Sequence, residues 1–175
     1  MGYYIHIPLP EKLRDEISEI ERTFQGDSGS EPHITLIPPR ELIGGKSEQE
    51  LIDAVHLATQ RLTPFALIQK GVGFFGNKET IYVRISRTYK LVSFHQALAE
   101  AISGILEPLD GPFDNLPTPH ITLSTRLSPE YGQKAWEVLR NRNFLGQFMC
   151  KRLTLLQKDR GDKHWKVLWH FDLNG

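Results

Sequence analysis

The pentapeptide Pro-His-Ile-Thr-Leu occurs twice without change, at residues 32–36 and 119–123. With average residue usage, such an identical pair has a chance on the order of 1% in a chain of 175 residues, so it is read as a repeated unit of structure. Each copy has the composition of a strand. Side chains of a strand alternate between its faces, which sets His33 beside Thr35 on one face and Ile34 with Leu36 on the other. The same alternation separates His120 and Thr122 from Ile121 and Leu123. One face can anchor each strand in a core while the other presents an imidazole and a hydroxyl.

The segments around the two copies also repeat. Tyr3–Ile7 reads as a strand ended by Pro8, and Leu13, Ile17, Ile20 and Phe24 then recur at helical spacing up to a loop at 26–30. After the first pentapeptide, Ser47 with Glu50 forms a capping-box signature ahead of the apolar face Leu51, Val55, Ala58 and Leu62. Phe65–Phe75 and Thr80–Ile85 read as strands about a Gly76-Asn77-Lys78 turn. A helix carrying Leu91, Phe94, Leu98, Ala101 and Ile105 precedes the second pentapeptide, and Ser128-Pro129 opens another. Residues 147–157 and 164–173 read as two closing strands. The order is strand, helix, His-bearing strand, helix, strand, taken twice. It predicts an α+β fold in one domain, residues 1–175. Two pseudo-symmetric lobes, each a small mainly antiparallel sheet with outer helices, would flank a V-shaped central cleft.

Two His-x-Thr strands facing each other make a four-group site suited to phosphoryl chemistry. An ordinary imidazole titrates near ~6.5, so one can be neutral while the other is protonated. One can deprotonate water and the other can protonate the departing oxygen, while Thr35 and Thr122 donate to the phosphate oxygens. A single His-x-Thr would carry little weight; the matched pair is what points to catalysis. Alternation turns one of Phe74 and Phe75 to the cleft, where a ring could stack on a base, and His6 stands on a strand beside the site. Arg40, Lys46, Lys78, Arg84 and Lys158 could supply local positive charge. Trp165 and Trp169, four apart, would share a buried face, and His56, His95, His164 and His170 read as incidental.

The sequence resembles the 2H phosphoesterase superfamily, and more narrowly its 2′-5′ RNA ligase or RNA 2′,3′-cyclic phosphodiesterase branch. The likeness rests on the two pentapeptides, with support from Tyr4–Leu13 and Gly71–Phe75. It implies a 2′,3′-cyclic phosphate opened to a 2′-phosphate, with reversible 2′-5′ joining of RNA ends in some relatives. It also implies His33 as the acid that protonates the leaving 3′-oxygen and His120 as the base that activates water; a near-symmetric site permits the reverse. Many relatives carry an arginine shortly after the second motif. Here Thr125 stands at the commoner position and Arg126 follows, a candidate phosphate clamp.

Other function classes are constrained more simply. Lysine plus arginine equals aspartate plus glutamate at 21 each, so no global field draws in long nucleic acid, and RNA ends or small nucleotides with a cyclic phosphate or 2′-5′ linkage are the expected partners. Cys150 is the only cysteine, which excludes an internal disulfide and a cysteine-rich zinc site and fits a cytoplasmic protein. The opening residues have no basic and apolar leader pattern, and no apolar run is long enough to span a membrane. With no His-Glu-x-x-His pattern and no cysteine cluster, neither metal nor cofactor is expected. A monomer is the expected state. The competing readings are a cleft that binds RNA ends or a nucleotide without turnover, and a metal-dependent hydrolase.

Overall fold

The computed structural model describes residues 1–24, 30–108, 116 and 118–174, so the expected loop at 26–29 lies outside them. Their elements run β1 (Gly2–Pro8), α1 (Glu11–Thr23), β2 (His33–Glu41), α2 (Glu48–Thr59), β3 (Phe65–Phe75), β4 (Thr80–Ile85), α3 (Tyr89–Ala101), β5 (His120–Ser124), α4 (Pro129–Leu139), β6 (Leu145–Cys150), β7 (Arg152–Lys158) and β8 (Lys166–Asp172). The caps read from the sequence are in place. Ser47 accepts from the Glu50 N–H while the Glu50 carboxylate accepts from the Ser47 N–H, and Ser128 accepts from the Tyr131 N–H ahead of Pro129. The third helix stops at Ala101, short of Ile105, and Gly104 follows at φ 78°.

The strands form two antiparallel four-stranded sheets, ordered β2-β1-β7-β8 and β5-β4-β3-β6. Both His-x-Thr strands are edge strands, and they lie in contact with each other. That position explains how β2 runs on through Pro38 and Pro39, beyond its expected end at Ile37: an edge strand tolerates residues that cannot donate to a ladder. The lobes are not the two halves of the chain. Each repeat gives its last strand to the other sheet, β3 pairing with β4 through the tight turn and β7 pairing with β1.

This exchange corrects the sequence reading of 147–157 as one strand. It is two, β6 in one sheet and β7 in the other, meeting at Lys151. No glycine or proline marks the corner, because a strand can pass between sheets on a bend alone. A second correction concerns Trp165 and Trp169. A bulge sets Leu155 opposite Trp169 but Leu156 opposite Val167, which reverses the alternation between the two indoles. Trp165 packs on Tyr4 at 4.5 Å, whereas Trp169 is exposed at the sheet edge.

The core is continuous across both sheets, joining Ile5, Ile34, Leu36 and Leu155 to Val83, Ile121, Leu123 and Phe94. Contacts of α1 with β5, and of α3 with both β2 and β3, fasten one sheet to the other. No helix among the described residues is long and apolar enough to cross a membrane.

On the second sheet, α4 comes so close to the β3–β4 turn that a Cβ at buried Gly132 would run into the backbone carbonyl of Lys78. Lys78 is itself in left-handed backbone, at φ 61°. Gly132→Ala should therefore lower the free energy of unfolding by about 1–3 kcal/mol, the usual cost of overpacking. Urea denaturation of the two proteins measures this, and an unchanged midpoint would mean that α4 can move aside freely.

Candidate active site

The burial of the two pentapeptides is the same residue by residue. Proline, isoleucine and leucine are buried, and histidine and threonine are partly open. The Nδ1 hydrogen bonds repeat as well. His33 Nδ1 lies 2.7 Å from the Glu31 carbonyl and His120 Nδ1 lies 2.7 Å from the Thr118 carbonyl, in each case two residues upstream. A ring nitrogen against a carbonyl must carry the proton, so Nε2 is the nitrogen of each ring left to accept one. The Thr35 hydroxyl, 3.1 Å from His33 Nε2, then donates to it while that ring is neutral.

Residues from the two repeats face a common space. His33 and Thr122 line one small cavity with Glu21 and Pro32, and the charge of His120 bears on His33. Burial is the main influence on both imidazoles and holds each below the ordinary histidine value. The carbonyl bonds to Glu31 and Thr118 act the other way, and for His33 the neighbouring His120 adds to the lowering.

Each His-x-Thr strand is backed by aromatic groups from its neighbour. His6 is the cross-strand partner of Thr35, stacked on His33 with ring centres 4.7 Å apart, and Tyr4 lies 5.5 Å from His33. In the second lobe Tyr82 is the partner of Thr122 and sits 5.3 Å from His120, with Phe75 stacked on it at 4.1 Å and edge-on to His120 at 5.1 Å. Of the phenylalanine pair, Phe75 is therefore the one at the site. Phe74 faces the other way, against Trp136 and beneath the Lys78 ammonium. His6 is almost fully buried, its Nδ1 has no hydrogen-bond partner among the described residues, and desolvation pushes its pKa down to about 2, with His33 and His170 adding to the effect. His170, read as incidental, lies on this same face and bonds Thr154 at 3.1 Å.

Neither Tyr4 nor Tyr82 is a site candidate on the sequence alone. Their signal is period-two spacing on β1 and β4, which becomes visible only when those strands are paired with the His-x-Thr strands. At the end of β5, Tyr82 faces Thr122 but Ile81 faces Ser124, a bulge that returns Thr125 to the face of His120 and lets it bond Thr80 at 3.1 Å. Arg126 comes next, exposed and in left-handed backbone at φ 57°, with no hydrogen bond or ion pair among the described residues. Among the other basic candidates, Lys46 is paired with Glu50 and Lys158 lies 5.7 Å from the Trp165 ring. Among the described residues, no group of three or more His, Cys, Asp or Glu is arranged to hold a metal ion.

The sequence profile of the 2′-5′ RNA ligase superfamily matches residues 9–162. No curated protein matches the chain in sequence. Among solved structures, TT0787 of Thermus thermophilus superposes with a TM-score of 0.68 at 20% identity, over 100% of this chain and 99% of that one. E. coli LigT, solved with 3′-AMP, gives 0.63 at 19% identity over 99% and 98%. At such identities these two establish the fold, and the profile establishes the family: the chain belongs to the 2′-5′ RNA ligase superfamily.

Proposed function

We propose that this protein is a metal-independent phosphoesterase that opens 2′,3′-cyclic phosphates of RNA ends or nucleotides to 2′-phosphates. The observation that carries the reading is the matched pair of imidazoles. Each is fixed by its own backbone carbonyl, each bears a hydroxyl neighbour, and they come from edge strands packed against one another. A purely binding cleft has no need of two tautomer-fixed histidines. That E. coli LigT is solved with 3′-AMP and with phosphate supports a ligand of nucleotide type.

In this scheme one imidazole takes a proton from water as the water oxygen attacks phosphorus. The bond from phosphorus to the 3′-oxygen breaks, and the other imidazole gives that oxygen its proton. Thr35 and Thr122 hold non-bridging oxygens between the rings. In the order that the family resemblance implies, His33 is the acid and His120 the base. Burial holds His33 neutral in the free protein, so its protonation is coupled to arrival of the phosphate, whose charge favours the imidazolium. If a 5′-hydroxyl takes the place of water in this step, its oxygen attacks the cyclic phosphorus, the bond to the 3′-oxygen breaks, and the product is a 2′-5′ phosphodiester.

Replacing His33 or His120 by alanine should cost roughly 100- to 10,000-fold in turnover of nucleoside 2′,3′-cyclic phosphates, with activity of the parent insensitive to a chelator. Product analysis by phosphorus NMR identifies the 2′-phosphate. Full activity in either variant would refute the acid/base pair, and loss to a chelator with recovery on a divalent ion would favour the metal-dependent reading.

The pH profile follows from the same burial. Both imidazoles lie below the ordinary value in the free protein, so kcat/KM should peak on the acid side of about 6.5. The limb at higher pH should move up in kcat, because the bound phosphate raises the acid. Coincident limbs in the two profiles would argue against that coupling.

His6 predicts a parallel loss of stability in acid. Its folded pKa is depressed while the unfolded chain keeps the ordinary value, so its stabilising effect is complete above the unfolded pKa and is lost as pH falls toward the folded one. Between about pH 6.5 and about pH 5 the loss is about 2 kcal/mol. His6→Phe, which keeps a ring against His33, should shrink the fall in denaturation midpoint over that range; an unaltered fall would mean His6 is not the group responsible.

A further inference from the structure

The two repeats match in histidine, threonine and carbonyl, and differ in what lies across the strand pair from each histidine. Opposite His33 is Pro8, and opposite His120 is Arg84. Directly paired residues of an antiparallel ladder share a face, so Arg84 lies on the face of His120 and Thr122. It is exposed between buried Val83 and Ile85, and it has no hydrogen bond or ion pair among the described residues. The opposing strand leaves room for it. A Cβ on Gly73 would fall 2.7 Å from Arg84 Nε and 3.1 Å from Tyr82 Cζ, so only glycine lets the guanidinium lie across β3 beside the Tyr82 ring.

We propose that Arg84 is a substrate-binding residue of this site, its guanidinium seated over Gly73 on the His120 face of the second sheet and taking non-bridging oxygens of the reacting phosphate. The inference rests on the phosphoesterase reading and adds the cation that reading lacks. Thr125 is already bonded to Thr80, and Arg126 makes no hydrogen bond or ion pair among the described residues. A planar guanidinium offers paired donors to two oxygens at once, which suits a phosphate better than a lysine would. The matching position of the first lobe is Pro8, so the phosphate would be gripped asymmetrically and its orientation between two similar imidazoles fixed.

The experiment compares the parent with Arg84→Ala, Arg84→Lys and Gly73→Ala. It measures kcat and KM for a nucleoside 2′,3′-cyclic phosphate, which carries no phosphate but the reacting one, and inhibition by inorganic phosphate and by the free nucleoside. Loss of a charge-assisted hydrogen bond predicts a fall of about 10- to 100-fold in kcat/KM for Arg84→Ala, chiefly in KM. Phosphate inhibition should weaken in proportion while nucleoside inhibition is kept. Arg84→Lys should recover part of the loss, and Gly73→Ala should reproduce the Arg84→Ala pattern by displacing the guanidinium. Unchanged kcat/KM and phosphate inhibition in Arg84→Ala would overturn the proposal, as would loss of nucleoside affinity in equal measure. Calorimetric titration with phosphate separates the two readings. A parent that binds phosphate through Arg84 yet turns nothing over would uphold Arg84 and remove the hydrolase; a parent that turns over undiminished without Arg84 would do the reverse.

Discussion

Ile34 and Leu36 in one lobe, and Ile121 and Leu123 in the other, have no accessible surface at all. Each such side chain contributes about 1.5–3 kcal/mol by leaving water, and a slip of one residue in either strand would expose both of its apolar anchors while driving an imidazole and a hydroxyl into the core. That penalty is what holds two edge strands, the kind most free to slide, in a single register. The carbonyl bonds of His33 and His120, the stacking of His6 on His33, the edge-on contact of Tyr82 with His120, and the meeting of Thr122 with His33 across the gap all follow from it. The site is thus a by-product of anchoring, and its precision comes from apolar residues that never touch a ligand.

Much of this was legible in the chain. Identical pentapeptides fixed attention on the four polar residues, and alternation alone put them on one face of each strand. The capping residues Ser47 and Ser128 marked where helices begin because a hydroxyl beside free amides has a local, sequence-visible cause. What could not be read was long-range or single-residue in origin. The pairing of Tyr82 with Thr122 and of Arg84 with His120 depends on which strands become neighbours. The faces of Trp165 and Thr125 depend on bulges, each of which adds one residue and reverses every later inference from alternation. The corner at Lys151 carries no breaker residue and so left no trace.

The departures from symmetry carry as much information as the repeat. At the position facing the threonine, one lobe has a buried neutral imidazole and the other a phenol; at the position facing the histidine, one has a proline and the other an arginine. A symmetric pair of catalytic groups cannot by itself tell the attacking oxygen from the departing one. The strands behind them differ where the motifs do not, and on the proposed reading β1 and β4 set the direction of reaction.

The exchange of last strands between the repeats has a consequence for how the molecule comes into being. In the first sheet β1 lies between β2 and β7, so its inner neighbour is a segment about 150 positions away along the chain. As the polypeptide leaves the ribosome, β1 and β2 can form only an isolated two-stranded ribbon, marginal in water, and they must wait for residues 152–172 to emerge. The second sheet has no such delay for its three strands β3, β4 and β5. Nascent chains should therefore bring together three strands of the His120 lobe before the first sheet can be completed.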